Sequence, residues 1–128
     1  MNKLLKKLYF NTLRIRLVEN RIASEYKSQN IRCPVHLSIG QEAISSPLNL
    51  VFNKNDFVLS NHRSHAHYLG KGGNLKKFIA ELYGKKSGCS GGRGGSMHLT
   101  DPNCGFIAST PIVANSIPVG VGLSLSKS

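Results

Sequence analysis

Between residues 3 and 28, Leu4, Leu8, Ile15, Val18, Ile22 and Tyr26 recur at three-to-four spacing or its multiples, while Arg14, Arg21 and Lys27 lie mostly off that stripe. This period predicts one long amphipathic helix, because residues three and four apart share a helical face. Ser28-Gln-Asn-Ile-Arg breaks the pattern, and Pro34 holds Cys33 extended. A second, short helix is predicted from Gln41 to about Phe52, with a kink or late start at Pro47. Asp56 to Ser60, carrying Phe57, Val58 and Leu59, reads as a short buried strand. The loop from Asn61 to His67 enters a helix that Gly70, Gly72 and Gly73 end. Leu75 to Tyr83 is a short helix with Leu75, Phe78, Ile79 and Leu82 on one face. Gly84 to Asn103 is rich in glycine and without period, and loops of that length in compact domains are functional or disordered. Ile112 to Ser126 is small and apolar and reads as a buried helix whose glycines permit close backbone approach. The expected class is α/β, helix-rich with few strands. With one strand in view, that last helix lacks a sheet to cover, which points to an incomplete sequence.

Composition narrows the class. The chain has 128 residues, 40% of them apolar, and 13 glycines, which is room for one domain of ordinary globular usage. The longest apolar runs fall short of the ~18 to 20 residues of a membrane span, and Met1 to Val18 lacks the continuous apolar region of a secretory signal. Cys33, Cys89 and Cys104 cannot all pair within one chain and show no zinc spacing, so a disulfide scaffold and a structural metal are disfavoured and a reducing, cytoplasmic setting is expected. The net charge is +11, from 17 basic and 6 acidic residues. Eight of the basic residues precede Cys33, against Glu19 and Glu25 alone. Such an excess fits a nucleic acid, an anionic membrane surface, an acidic partner or a missing acidic remainder, and composition does not choose among them.

Three segments carry candidate chemistry. In His36-Leu-Ser-Ile-Gly-Gln-Glu, a loop imidazole precedes a helix start whose free amides and Gln41 side chain suit an anion. A plain surface loop is the competing reading. In His62-Arg-Ser-His-Ala-His67, directly after the strand, Arg63 offers a fork of donors suited to phosphate or carboxylate, and the histidines suit acid–base work. Three histidines without nearby carboxylates signal a metal only weakly, and solvated or core-satisfied histidines are as common. In Gly88-Cys-Ser-Gly-Gly-Arg-Gly-Gly-Ser-Met-His98, successive glycines let backbone amides converge into an anion-binding nest, although a flexible linker reads equally well. It is neither a Walker loop nor a dinucleotide fingerprint, and one Arg without aromatic residues argues against nucleic acid. Cys89 has no evident base.

Taken together, His36-Leu-Ser-Ile-Gly-Gln-Glu-Ala43, His62-Arg-Ser-His-Ala-His67, Gly91-Gly-Arg-Gly-Gly-Ser-Met-His98 and Ile112-Val-Ala-Asn-Ser-Ile-Pro-Val-Gly-Val-Gly122 follow one another over Arg16 to Leu125. In that order they resemble the N-terminal third of the α subunit of thiamine-diphosphate-dependent 2-oxo acid dehydrogenases, the E1 components. The resemblance implies residues 1–32 as a helical arm and residues 33–128 as the leading, incomplete portion of a thiamine-diphosphate-binding domain. It implies oxidative decarboxylation of a 2-oxo acid, most naturally pyruvate, with acyl transfer to a lipoyl group on an E2 partner and a site shared with an E1 β subunit. Acetoin or branched-chain substrates stay open. Carried over by motif, His36 faces the substrate and Arg63 contacts the diphosphate. His62 stands beside that Arg where Tyr is usual, and one of His65 and His67 is a proton donor or electrostatic neighbour. Pro111, where Gly is usual, and Val113 pass beside the aminopyrimidine. The family's magnesium ligands, a Gly-Asp-Gly and later Asn residues, would lie beyond residue 128, so no metal ligands are assigned and the chain alone is expected to be inactive. A basic module binding nucleic acid or anionic lipid, and an inactive remnant, are the competing readings.

Overall fold

The computed structural model describes residues 2–127. Helix α1 spans Lys3–Tyr26, and the Asn2 side chain caps it by accepting from the Leu4 amide at 3.0 Å. The predicted stripe buries only its middle: Ile15 and Ile22 are inside and Val18 packs against them, whereas Leu4 and Tyr26 are exposed. Glu19 lies on the same inward face and is fully buried. The second predicted helix is two, α2 (Glu42–Ser45) and α3 (Leu48–Val51), separated at Ser46-Pro47. Pro47 lacks the N–H that would continue the first helix, and it heads the second.

Strand β1 (Val58–Ser60) leads into α4 (His65–Gly70), which is followed by α5 (Leu75–Leu82). Asn74 caps α5 by accepting from the Lys77 amide at 3.1 Å. A 3₁₀ turn at Pro102–Cys104 precedes a second strand, β2 (Phe106–Ser109), and the last helix, α6, spans Ser116–Leu125. Strand β2 is absent from the expectation, because four residues of Phe-Ile-Ala-Ser after an unpatterned loop show neither alternation nor length. It pairs with β1 in parallel, Val58 opposite Phe106 and Ser60 opposite Ser109, with an irregularity after Val58. Parallel pairing joins segments some 46 residues apart, so only the fold reveals it.

The core gathers Ile15, Ile22, Ile31, Leu69, Phe78, Leu82, Leu99 and Phe106 around Tyr68. The Tyr68 ring meets Phe106 edge-on at 5.4 Å and lies 5.7 Å from Phe78. Its hydroxyl donates weakly to the Asn74 carbonyl and Asp101, and burial holds it protonated far above the usual tyrosine range. Helix α6 corrects the expectation of a buried helix. It rests on β1 near Leu59 but leaves Ile117 (67% exposed), Val121 (58%) and Leu125 (71%) in the open. A two-stranded sheet is too narrow to cover a helix with apolar residues on every side. Among the described residues, no helix is both long and apolar enough to cross a membrane.

Candidate functional site

Two parallel strands point their carboxyl ends the same way, so the segments leaving them emerge side by side. β1 leads to Asn61-His-Arg-Ser and β2 to Thr110-Pro-Ile-Val, and the Thr110 amide donates to the Ser60 carbonyl at 3.2 Å. This edge is where α/β sheets favour ligands. The Asn61 side chain accepts from the Arg63 amide at 2.9 Å, which makes an Asx turn at the start of the loop.

The His36 segment closes on this edge from the side. The His36 and His62 rings meet edge to face, 5.0 Å apart at 88°. The Arg63 guanidinium donates to the Leu37 carbonyl, and the Ser38 hydroxyl donates to the Arg63 carbonyl at 3.1 Å. His36, His62 and Arg63 therefore form one cluster. Pro111 and Val113 lie on the neighbouring exit; Val113 is 74% exposed and Pro111 half-buried. The His67 Nδ1 is 2.8 Å from the Ser60 hydroxyl at the end of β1, and burial pushes its imidazole below the usual histidine range, so it is neutral near pH 7. His65 is not in the cluster. Its ring points inward, between Glu19 and Ser96.

Two anion-binding expectations are corrected. The amide nest of the glycine loop is filled from within by Glu81, whose carboxylate accepts from the amides of Ser90, Gly92, Gly94 and Gly95 at 2.7 to 3.1 Å. The loop is therefore neither an open anion site nor a free linker. At the start of α2, the Gly40 amide donates to Glu42, which also holds the Arg16 guanidinium at 2.5 and 2.9 Å. That ion pair lowers the Glu42 carboxyl to about 2. The negative charge expected from a ligand at this helix start is supplied by the chain itself.

One buried polar side-chain atom has no hydrogen-bond partner among the described residues, and it is Nδ1 of His62. A buried imidazole nitrogen left open is costly unless a ligand completes it. It lies beside Arg63, and among the described residues neither is bonded to a carboxylate. The Arg63 fork suits a phosphate-bearing anion, and the tautomer of His62 decides whether its Nδ1 could donate to one. Among the described residues, no group of three His, Cys, Asp or Glu is placed to hold a metal ion.

The sequence matches the family described as Dehydrogenase E1 component over residues 11–128. The chain belongs to that family. Its relatives include the mitochondrial pyruvate dehydrogenase E1 component subunit alpha of Solanum tuberosum, 38% identical over 88% of this chain and 29% of the relative. The corresponding subunit of Rickettsia bellii is 37% identical over 94% of this chain and 37% of the relative. The mitochondrial subunit of Saccharomyces cerevisiae is 37% identical over 95% and 29%. The chain thus spans about a third of the length of these relatives.

In this E1-family chain, the residues that sequence reasoning missed are the buried ones that hold the loops: Glu19, Ser38, Ser60, Glu81 and Ser96. One signal was available. Glu19 falls four residues after Ile15 and three before Ile22, squarely on the stripe that predicts burial. A buried carboxylate requires donors, and those donors mark the loops it organises. Cys89 is half-buried, and its desolvation raises the thiol above its ordinary range, away from a reactive thiolate.

Proposed function

We propose that this chain is part of the α subunit of a thiamine-diphosphate-dependent 2-oxo acid dehydrogenase whose substrate is pyruvate. It would adopt the leading part of a thiamine-diphosphate-binding fold. The observation that carries the reading is the cluster of His36, His62 and Arg63 at the carboxyl edge of a parallel strand pair, with the Pro111–Val113 exit beside it. Relatives named pyruvate dehydrogenase E1 component subunit alpha support the substrate.

Arg63 holds the diphosphate through its planar fork of donors, and the open Nδ1 of His62, in the tautomer that protonates it, adds a hydrogen bond to the same ligand. His36 orients the substrate. His67, neutral and fixed by Ser60, moves a proton at the site's inner wall. Pro111 and Val113 form an apolar support that excludes water from the cofactor ring. When bound, thiamine diphosphate supplies the carbanion chemistry, and the protein supplies orientation and charge. An E1 β subunit, a lipoyl-bearing E2 and magnesium ligands outside this chain complete the machinery.

The test uses the complex purified through a tag on this chain from its own cells. Pyruvate-dependent reduction of an artificial electron acceptor, requiring added thiamine diphosphate and magnesium, is expected. It should fall at least about a hundredfold in Arg63→Ala and His36→Ala. No cofactor-dependent turnover of pyruvate or any other 2-oxo acid would overturn the reading.

A further inference from the structure

His65, Glu19 and Ser96 form a chain sealed from solvent. The Glu19 Oε1 is 2.7 Å from His65 Nδ1, and His65 Nε2 is 2.7 Å from the Ser96 hydroxyl. The order matches a nucleophile, a base and an orienting carboxylate. All three residues are nonetheless at most 1% exposed, so no substrate reaches Ser96. The chain must act in another way.

Its second arm shows how. The other Glu19 oxygen, Oε2, accepts from the Ser38 amide at 2.5 Å, two residues beyond His36. The Ser38 hydroxyl ties to the Arg63 carbonyl at 3.1 Å, and the Ser64 hydroxyl ties to the Ser96 carbonyl at 3.1 Å. One carboxylate on α1 thereby joins the His36 segment to the loop bearing His62 and Arg63 and, through His65, to the glycine loop.

We propose that Glu19 is the positioning residue of the site, setting the spacing between His36 and the His62–Arg63 pair through Ser38 and His65. The inference rests on the functional reading above only in calling that cluster the site. The chemistry explains why the residue is Glu. Two donors, the Ser38 amide and the Nδ1–H of His65, converge on it from different loops, and a carboxylate alone offers an acceptor to each. With Nδ1 as donor, Nε2 is left to accept from Ser96. Glutamine has the same shape but one acceptor. If its oxygen stays with Ser38, its NH₂ faces His65, the ring must move its proton to Nε2, and the Ser96 hydroxyl loses its acceptor.

The experiment is Glu19→Gln in the full chain, read by long-range ¹H–¹⁵N spectra of labelled histidine. In the wild type the expected signature is that of a ring that donates from Nδ1 to Glu19. In E19Q the proton is expected to switch to Nε2, and the His36 and His62 ring signals are expected to shift. In the purified complex, kcat should fall at least about tenfold while KM for pyruvate changes less than about twofold, the pattern of a misplaced reacting group rather than lost binding. Ser38→Ala provides a second route. It cuts the tie to Arg63, keeps the Glu19 bond, and should move the His62 signals if E19Q does not fold. His36 and His62 signals that stay at their wild-type positions in the folded variants would overturn the proposal. If the rings move but the wild-type complex shows no thiamine-diphosphate-dependent turnover, the positioning role stands and the functional reading falls.

Discussion

Replacing Glu81 by Gln alters one oxygen and almost no volume, so its effect isolates the hydrogen bonds that hold the glycine loop. One carboxylate oxygen accepts from the Ser90 and Gly92 amides at 2.7 and 2.9 Å, the other from Gly94 and Gly95 at 2.7 and 3.1 Å. The Glu81 residue is 1% exposed, so water cannot replace a lost partner. Glutamine keeps an oxygen for one pair and turns N–H donors toward the other. Two buried donors left unmet cost about 1 to 3 kcal/mol each, so the loss is about 2 to 6 kcal/mol. With a urea slope of about 2 kcal/mol/M, the midpoint should fall by about 1 to 3 M. The opening should also be local: trypsin should cut after Arg93, inside the loop, much faster in the variant. A midpoint within about 0.3 M of wild type, together with an unchanged rate of cutting at Arg93, would refute the reasoning.

Other expectations follow from single contacts. At Gly70 an added Cβ would sit 2.0 Å from the Ser45 carbonyl oxygen, so Gly70→Ala should cost at least about 2 kcal/mol in a denaturation experiment by forcing α2 and α4 apart. Gly40 has open space but φ of +92°, so Gly40→Ala should lose only about 1 to 2 kcal/mol through backbone strain. Glu42 has its folded-state value depressed from 4.5 to about 2 by Arg16, so its contribution is complete above pH 4.5 and is lost as pH falls toward 2. Thermal melts across that range should show a shallower acid slope in Glu42→Gln than in the wild type. His67 is also depressed, by burial, so it favours the folded state above its ordinary value of 6.5 and loses that contribution as pH falls through its lower folded value. His67→Asn should flatten that part of the melting profile.

Legibility in the sequence followed the range of the signal. Helix α1 and helix α5 were readable because their apolar residues repeat at a helical period, and the break at Pro47 was readable because proline lacks an amide hydrogen. Strand β2 was not, since its meaning depends on a parallel partner far away in the chain. His36, His62 and Arg63 could be picked out by motif, but the reason they meet is that pairing and the Ser38 tie to Arg63. The inward turn of His65, two residues from Arg63 in the sequence, follows from entering α4, which rotates successive side chains by about 100° and aims this one at α1. The glycine loop was ambiguous for a related reason. A nest of amides predicts an anion but does not say whose, and here it belongs to Glu81 of α5, nine residues before Ser90.

Most of the carboxylates share one role. Of the 6 acidic residues, Glu19, Glu42, Glu81 and Asp101 are buried. Each is spent on backbone amides: Ser38 for Glu19, Gly40 for Glu42, the glycine loop for Glu81 and Asn74 for Asp101. Asp56 accepts from the Asn53 amide, and Glu25 pairs with Arg21 within α1. The carboxylates therefore act as internal anchors for loops, and few are left to neutralise the basic surface. The net charge of +11 comes from 17 basic against 6 acidic residues, and the burial of four carboxylates leaves the surface the more basic. A chain with this excess of positive charge attracts small anions in general. Substitutions that neutralise an anchor such as Glu19 or Glu81 would raise the net charge further while loosening the loops, so their harm to the site would come from geometry and not from electrostatic attraction.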